Sequence, residues 1–338
     1  MASKKTSAAT IYDVAERAGV SHQTVSRYLS GFEGIRPATR ARVATALKEL
    51  DYRPNLAARS LATNRSHRIA VLTGDLLSAG PSQTVQGVAV AARQAGYVVD
   101  IVAFDLENPA SLADAFDVIR HQDLAGVVAL AISDEMREAI GKVPVEAPLL
   151  LDTGPADLPG PIGTSFNAYG AQMVVEHLIE LGHRNIVHVT GAMDYYAAKS
   201  RLESFTRVVR EHGLREHPVL YGNWSAQSGY FAVRDGRLSE SVTAIVCGND
   251  QMALGVMRAL GEAGRSCPSD ISVTGFDDIP EAEFYMPPLT TVRIDFEQQG
   301  TYLFTALMAR ITGDDVPDSA RFMEPRLILR ASTAPPSL

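Results

Sequence analysis

The sequence predicts an α/β protein: two doubly wound parallel-sheet lobes, preceded by a small three-helix module. From about residue 66 onward, short apolar runs alternate with segments of helical period, which is the pattern of βα units and parallel sheets. At 338 residues the chain exceeds what one core usually serves, since domains cluster at roughly 100–200 residues. The first 65 residues differ in kind. They hold 11 lysines and arginines against 5 acidic residues, net +6, whereas the rest holds 20 against 34, net −14. A basic module on an acidic body points to one end that meets a polyanion and a remainder that repels it.

In the basic module, Thr10-Ile11-Tyr12-Asp13 places a capping hydroxyl before an apolar face of Ile11, Val14, Ala15 and Ala18, and Gly19 ends that helix. Ser21 caps a second helix running from His22 to Leu29, with Val25 and Leu29 on one side. A third begins near Pro37 or Thr39 and carries Val43, Ala46, Leu47 and Leu50 at helical spacing; Arg53-Pro54-Asn55 ends it, because proline disfavours α geometry in the residue before it. Two helices joined by the tight Gly19-Val20-Ser21 turn and braced by a third make a helix-turn-helix, spanning 10–54 behind a tail at 1–9. Residues 55–65 follow as a hinge whose segment Leu56-Ala57-Ala58-Arg59-Ser60-Leu61-Ala62 covers only about two turns, too short for a stable helix alone.

The body, 66–330, carries strand-like runs at 68–73, 97–104, 126–132, 148–152, 185–190, 218–221, 244–247 and 271–276, with two more at 291–295 and 326–329. Helical stretches such as 83–95, 168–181, 197–212 and 251–263 lie between them, closed by Gly96, Gly182, Gly213 and Gly264. Two lobes fit that count, with the chain crossing between them near 165 and 293 and a disordered tail at 331–338. Doubly wound sheets bind ligands beyond the carboxyl ends of their strands. Several of those ends carry polar groups, namely Asp152, Asn249-Asp250 and Asp277-Asp278, each of which is either a cap for the next helix or a ligand group.

Other classes are excluded by what is missing. No apolar run reaches the ~18 residues of a bilayer span and no signal-peptide core follows the start, so a cytoplasmic protein without membrane contact is expected. Cys247 and Cys267 have no partners at metal-ligand spacing and read as packing residues, so no metal or other cofactor is expected. Neither a dinucleotide-binding, a P-loop nor a nucleophile-elbow motif occurs, which argues against an enzyme. A solute-binding protein would share the body but would need an export signal where the basic module stands.

The run Ile11-Tyr12-Asp13-Val14-Ala15-Glu16-Arg17-Ala18-Gly19-Val20-Ser21-His22-Gln23-Thr24-Val25-Ser26-Arg27, continued in Leu50-Asp51-Tyr52-Arg53-Pro54-Asn55, closely resembles the helix-turn-helix of the lac repressor family of transcriptional regulators. Similarity extends to about Arg330, with strong blocks at Gly248-Asn249-Asp250-Gln251-Met252, Gly275-Phe276-Asp277-Asp278 and Pro287-Pro288-Leu289-Thr290-Thr291. The resemblance implies a body like that of periplasmic binding proteins and double-stranded operator DNA as partner. His22, Gln23 and Arg27 then match base-reading positions, where Arg can pair bidentately with guanine and Gln with adenine. Thr10, Ser21, Thr24 and Ser26 carry hydroxyls suited to phosphate contact, while Asn55 and Leu61 match the family's hinge, whose leucine wedges into the minor groove. For Leu61 a plain apolar contact to the body is the other reading.

Carried over in the same way, Asp152, Arg201, Asn249 and Asp277 match residues that hydrogen-bond sugar hydroxyls, and Pro81, Trp224 and Phe296 match apolar walls. The resemblance thus implies a repressor of carbohydrate-utilisation genes released by a sugar effector, although some members activate or use a corepressor. Leu130 and Ile294 stand where the family's namesake has amides and Gly74 where it has a hydroxyl, so a galactoside would be held differently, or a related or larger sugar taken instead. The ending Ala334-Pro335-Pro336-Ser337-Leu338 has no heptad for the namesake's tetramerising helix, so a homodimer is expected. Val85, Val88, Val90, Leu254, Met257 and Leu260 are interface donors or lobe core.

Overall fold

The computed structural model describes residues 9–29, 32–52, 66–105, 108–130, 133–143, 145–152, 165–235, 238–316 and 324–337. Two compact units divide the chain, 1–67 and 68–338. The expected hinge, with Asn55 and Leu61, lies outside the described residues.

In the first unit, α1 (Ile11–Ala18), α2 (His22–Leu29) and α3 (Pro37–Glu49) close on a core of Val14, Ala15, Ala18, Val25, Val43 and Ala46. Thr10 and Asp13 form a reciprocal capping box on α1, and Gly19, left-handed at φ 62°, returns its N–H to the helix and frees the chain for the tight turn. Ser21 Oγ accepts from Thr24 N at 3.3 Å and starts α2. The third helix ends earlier than proline alone would dictate: Leu50 caps it and Asp51 turns left-handed at φ 43° before Pro54 is reached.

The second unit holds two lobes. The first is built from β1 (Arg68–Thr73), α4 (Ala79–Gln94), β2 (Val98–Ala103), α5 (Pro109–Arg120), β3 (Gly126–Leu130), α6 (Asp134–Gly141) and β4 (Leu149–Asp152), its parallel strands ordered β2-β1-β3-β4. The second follows with α7 (Phe166–Glu180), β5 (Ile186–Thr190), α8 (Tyr196–Glu211), β6 (Leu220–Tyr221), α9 (Ala226–Asp235), β7 (Ala244–Cys247), α10 (Asp250–Glu262) and β8 (Ser272–Thr274), its parallel strands in the same order, β6-β5-β7-β8. Beyond a 3-10 turn (Pro280–Phe284) come β9 (Thr291–Arg293), α11 (Phe296–Thr312) and β10 (Arg326–Ile328). The central strands are buried on both faces, as crossover helices on each side of a parallel sheet require.

The chain passes to the second lobe between β4 and α7 and returns between β9 and α11, whose Leu303, Phe304 and Leu307 fill the first lobe's core. A third passage, not expected from the sequence, brings β10 back to pair antiparallel with β9. Each lobe also contains one helix pair in near-backbone contact. A Cβ on Gly87 would lie 2.0 Å from Glu297 O and one on Gly300 2.0 Å from Thr84 O, so α4 and α11 cross through reciprocal glycines. Gly229 and Gly255 do the same for α9 and α10, where a Cβ would meet Met252 O at 2.2 Å and Ala226 O at 1.8 Å.

The expected disorder at 331–338 is corrected for 331–337. Ser332 is fully buried: its hydroxyl donates to Val273 O at 2.6 Å and accepts from Thr290 N at 2.8 Å, while its carbonyl accepts from Val273 N at 2.9 Å. Ala334 N donates to Ser272 Oγ at 3.0 Å. Backbone groups that find partners in a sheet offset the entropy of ordering, so a polar, proline-containing end still settles.

Candidate ligand-binding site and nucleic-acid interface

The carboxyl ends of both sheets face one cavity of about 130 Å³ of water-accessible space, many times what a single ordered water needs. Pro81, Asp152, Arg201, Trp224, Asn249, Asp277 and Phe296 all line it, together with Ser78, Thr84, Leu130, Phe166, Asn167, Tyr195, Tyr196 and Gln299. Leu130 stands on its wall at the end of β3, whereas Ile294 is buried in the second lobe's core and is not part of the lining.

Arg201 on α8 organises the second lobe's side. Its Nε donates to Asn167 Oδ1 at 2.9 Å, one terminal nitrogen donates to the Gly248 carbonyl, and the other reaches Asp277 Oδ1 at 3.4 Å. The guanidinium also lies over the rings of Phe276 (3.6 Å) and Trp224 (5.5 Å). Among the described residues three of its five N–H groups have partners. Burial pulls its pKa down against the opposing charge of Asp277. Asp277 feels the mirror effect: burial pushes its carboxyl up to about 6, with Arg201 holding it back.

Two lining residues are held in strained backbone. Trp224 has φ 73° and Asp277 φ 102°, values that L side chains rarely adopt and that surroundings must impose. For Trp224 those surroundings are visible. Asn249 Nδ2 donates to its carbonyl at 3.0 Å, and the indole lies against Gly191, where a Cβ would sit 2.4 Å from the ring. Asn249 also caps α10 by accepting from Met252 N at 2.9 Å and donates to Gln251 at 3.0 Å, so both its amide hydrogens are committed and it acts mainly by positioning.

The remaining strand-end acids separate cleanly. Asp250 is buried beneath the cavity wall, accepting from the Thr291 hydroxyl and from Ile279 N at 2.8 Å. Asp278 pairs with Arg293 at 2.5 Å and Arg330 at 2.7 Å and ties β9 to the C-terminal stretch. At the edge of the cavity the lobes touch: Tyr196 Oη donates to Asp134 Oδ1 at 2.8 Å, and Lys199 lies 3.4 Å from the same carboxylate.

Asn167 and Gln299 were missed by motif reasoning, yet each carried a signal. Each interrupts a buried helical stripe, Asn167 ahead of Gly170, Ala171 and Val174, and Gln299 between Phe296 and Leu303. A polar residue on a core-facing stripe needs a partner there.

In the first unit, His22, Gln23, Ser26 and Arg27 are exposed on α2 while Val25 faces the core. The guanidinium of Arg27 lies 5.6 Å over the Phe32 ring, and His22 contacts Tyr12 at 5.2 Å between ring centroids. Three hydroxyls assigned to phosphate already work inside the fold. Thr10 donates to Asp13 Oδ2 at 2.8 Å, and Ser21 and Thr24 hydrogen-bond each other at 3.0 Å. A phosphate oxygen only accepts, so Thr10 would have to turn its hydroxyl hydrogen away from Asp13 Oδ2 to contact one, while still accepting from Asp13 N.

A model of bacterial regulatory proteins of the lacI family matches residues 10–55, and one of the periplasmic binding protein-like domain matches 175–333. The lactose operon repressor of Escherichia coli (strain K12) is 33% identical over 334 residues, covering 97% of this chain and 91% of that protein. The chain belongs to the LacI family. Among solved structures, the lac repressor dimer bound to operator and the anti-inducer ONPF superposes with a TM-score of 0.81 at 32% identity, covering 96% of this chain and 99% of that one. A complex of the transcriptional regulator CelR with cellobiose gives a TM-score of 0.67 at 28% identity, covering 96% and 99%. As a LacI-family protein, the chain is a DNA-binding transcriptional regulator with a small-molecule effector domain. Among the described residues no helix is long and apolar enough to cross a membrane, and no cluster of three metal-ligating side chains occurs.

Proposed function

We propose that this LacI-family chain is a cytoplasmic, non-enzymatic repressor of carbohydrate-utilisation genes that binds a palindromic operator as a homodimer and is released by a sugar. The observation that carries the effector assignment is the cavity itself, where a buried guanidinium and two carboxylates face aromatic walls. A sugar hydroxyl both donates and accepts, and its ring C–H face packs on an indole, so this mixture of groups suits a saccharide. Pro81, Asp152 and Phe296 come to the cavity on elements of the first lobe, Arg201, Trp224, Asn249 and Asp277 on elements of the second. A sugar touching both sets stabilises one arrangement of the lobes over another, and that differential affinity is what shifts DNA binding. On the DNA side His22, Gln23 and Arg27 read bases in the major groove, with Ser26 and the less available Thr10, Ser21 and Thr24 on phosphates.

A two-fold operator needs a two-fold protein. Of the candidate interface residues, Val85, Val88 and Leu260 are buried in their lobes, while Leu254 is 45% exposed. Phe284 and Met286 are 76% and 93% exposed, and Tyr285 Oη donates to Asp250 O at 3.2 Å, which sets that segment beside the start of α10 near Leu254. A second copy covering these side chains gives the dimer. Selection of duplexes from a random pool by the full chain should return an inverted repeat, and fluorescence anisotropy on that duplex should show release by at least one neutral mono- or disaccharide. A site without two-fold symmetry refutes the dimer; a sugar that tightens binding replaces induction with corepression.

A further inference from the structure

Gln299 is 5% exposed on the cavity wall, and its Nε2 donates to Asp152 Oδ2 at 2.8 Å. That contact orients the amide, because the flipped form would set its oxygen against a carboxylate. Gln299 Oε1 is consequently buried, and among the described residues no group donates to it. Across the cavity Trp224 Nε1 is buried in the same condition, a donor without an acceptor. Buried polar atoms are rarely left unpaired, and these two belong to residues that line one cavity. Charge adds a second constraint. The carboxylates of Asp152 and Asp277 stand beside Gln299 Oε1 in the lining, and its one cation among the described residues, Arg201, is paired with Asp277, so the wall is rich in acceptor oxygen.

We propose that Gln299 is a specificity-determining residue that accepts a hydrogen bond from one hydroxyl of a neutral saccharide, and that the same cavity rejects phosphorylated sugars. A hydroxyl supplies the hydrogen that Gln299 Oε1 lacks, whereas a phosphate brings only acceptors and a dianion among carboxylates. An apolar residue at position 299 would leave Asp152 without its amide donor and would remove the acceptor, so hydroxyl selectivity at one ring position would be lost.

The inference rests on the cavity being a sugar site, and the test separates the two. Isothermal titration of the full chain is made with methyl β-D-galactoside, methyl β-D-glucoside, lactose, cellobiose and maltose, with galactose 6-phosphate and glucose 6-phosphate, and then with the monodeoxy analogues of whichever sugar binds. Gln299→Leu and the isosteric Gln299→Met are run beside the wild type. The expected result is binding of a neutral sugar, at least 10-fold weaker binding of both phosphates, and a roughly 5- to 10-fold loss in both variants. One monodeoxy analogue should bind wild type and variants equally, a coupling that mere loosening of the site would not produce. If no neutral sugar binds the wild type, the sugar reading falls and this inference with it. If one binds but wild type and variants discriminate its deoxy analogues alike, the sugar site stands and the role of Gln299 is overturned. Equal affinity for a sugar 6-phosphate overturns the neutrality requirement.

Discussion

Replacing Arg201 by alanine should destabilise the 68–338 unit in a pH-dependent way. The substitution removes the donor to Asn167 Oδ1 and to the Gly248 carbonyl, and leaves Asp277 buried without its counter-charge. Breaking a buried pair from one side costs about 3–5 kcal/mol, and in a domain of this size each kcal/mol moves Tm by roughly 2–4 °C, so Tm should fall by about 6–20 °C. The sign of the pH effect follows from Asp277. Its folded-state pKa, about 6, lies above the ordinary carboxylate value of 3.8, so the folded protein binds that proton more tightly than the unfolded chain. The carboxyl's contribution is therefore fully present below the unfolded value and is lost as pH rises to about 6. Without Arg201 the folded pKa climbs further, so the loss continues above pH 6 and the gap between wild type and variant widens from pH 5.5 to pH 8. Calorimetry at the two pH values reads both quantities, and Arg201→Ala combined with Asp277→Asn should recover part of the deficit at pH 8. A loss under about 1 kcal/mol, or one equal at both pH values, would refute the account of Arg201 as the countercharge of a buried acid.

Arg27→Ala should weaken binding to the preferred duplex by about 1–3 kcal/mol and relax choice at one base position, as read by competitive anisotropy; equal loss on random DNA would mean that Arg27 touches only phosphate. Gly300→Ala places a methyl 2.0 Å from Thr84 O and should cost about 1–3 kcal/mol or more in thermal unfolding, whereas Gly261→Ala, with nothing within 4 Å, should be neutral or slightly stabilising; similar effects at both sites would argue against the close helix crossing. Because an ionised Asp277 is the better acceptor for a hydroxyl, sugar affinity should decline as pH drops below about 6, and binding near pH 6 should release protons in titrations compared across buffers of different ionisation enthalpy; proton uptake would show that the acid form binds.

Much of the fold could be read from the chain because each strand is a short apolar run followed by a helical period, and glycine follows several helices. Boundaries were harder. Helix α4 begins at Ala79, ahead of the expected 83, because Gly80 and Pro81 look like breakers although proline is tolerated in a first turn whose N–H groups have no partner anyway. The third passage between lobes escaped notice because β9 and β10, three residues each, show no alternation long enough to reveal their pairing. In the cavity, groups that point at a ligand were easier to find than groups that hold them. Asn249 lines the cavity and at the same time caps α10, a second duty that its place at a strand end does not reveal, while Gln299 and Asn167 depend on which stripe of a helix is buried, a property of packing that motif spacing alone does not express.

The seating of Ser332 against Val273 bears on how this chain should be handled. Strand β8 is the last in its sheet, and its outward N–H and C=O at Val273 are both taken by Ser332. Short as it is, this stretch is an edge guard: it closes the one side from which a foreign strand could add to the sheet at that position. Shortening the chain to residue 330 for expression would strip the guard, leave the sheet margin at Val273 open to templated pairing, and favour aggregation of an otherwise intact lobe. Affinity tags belong beyond Ser337, whose hydroxyl still donates to Ser269 O at 2.6 Å, and not in its place.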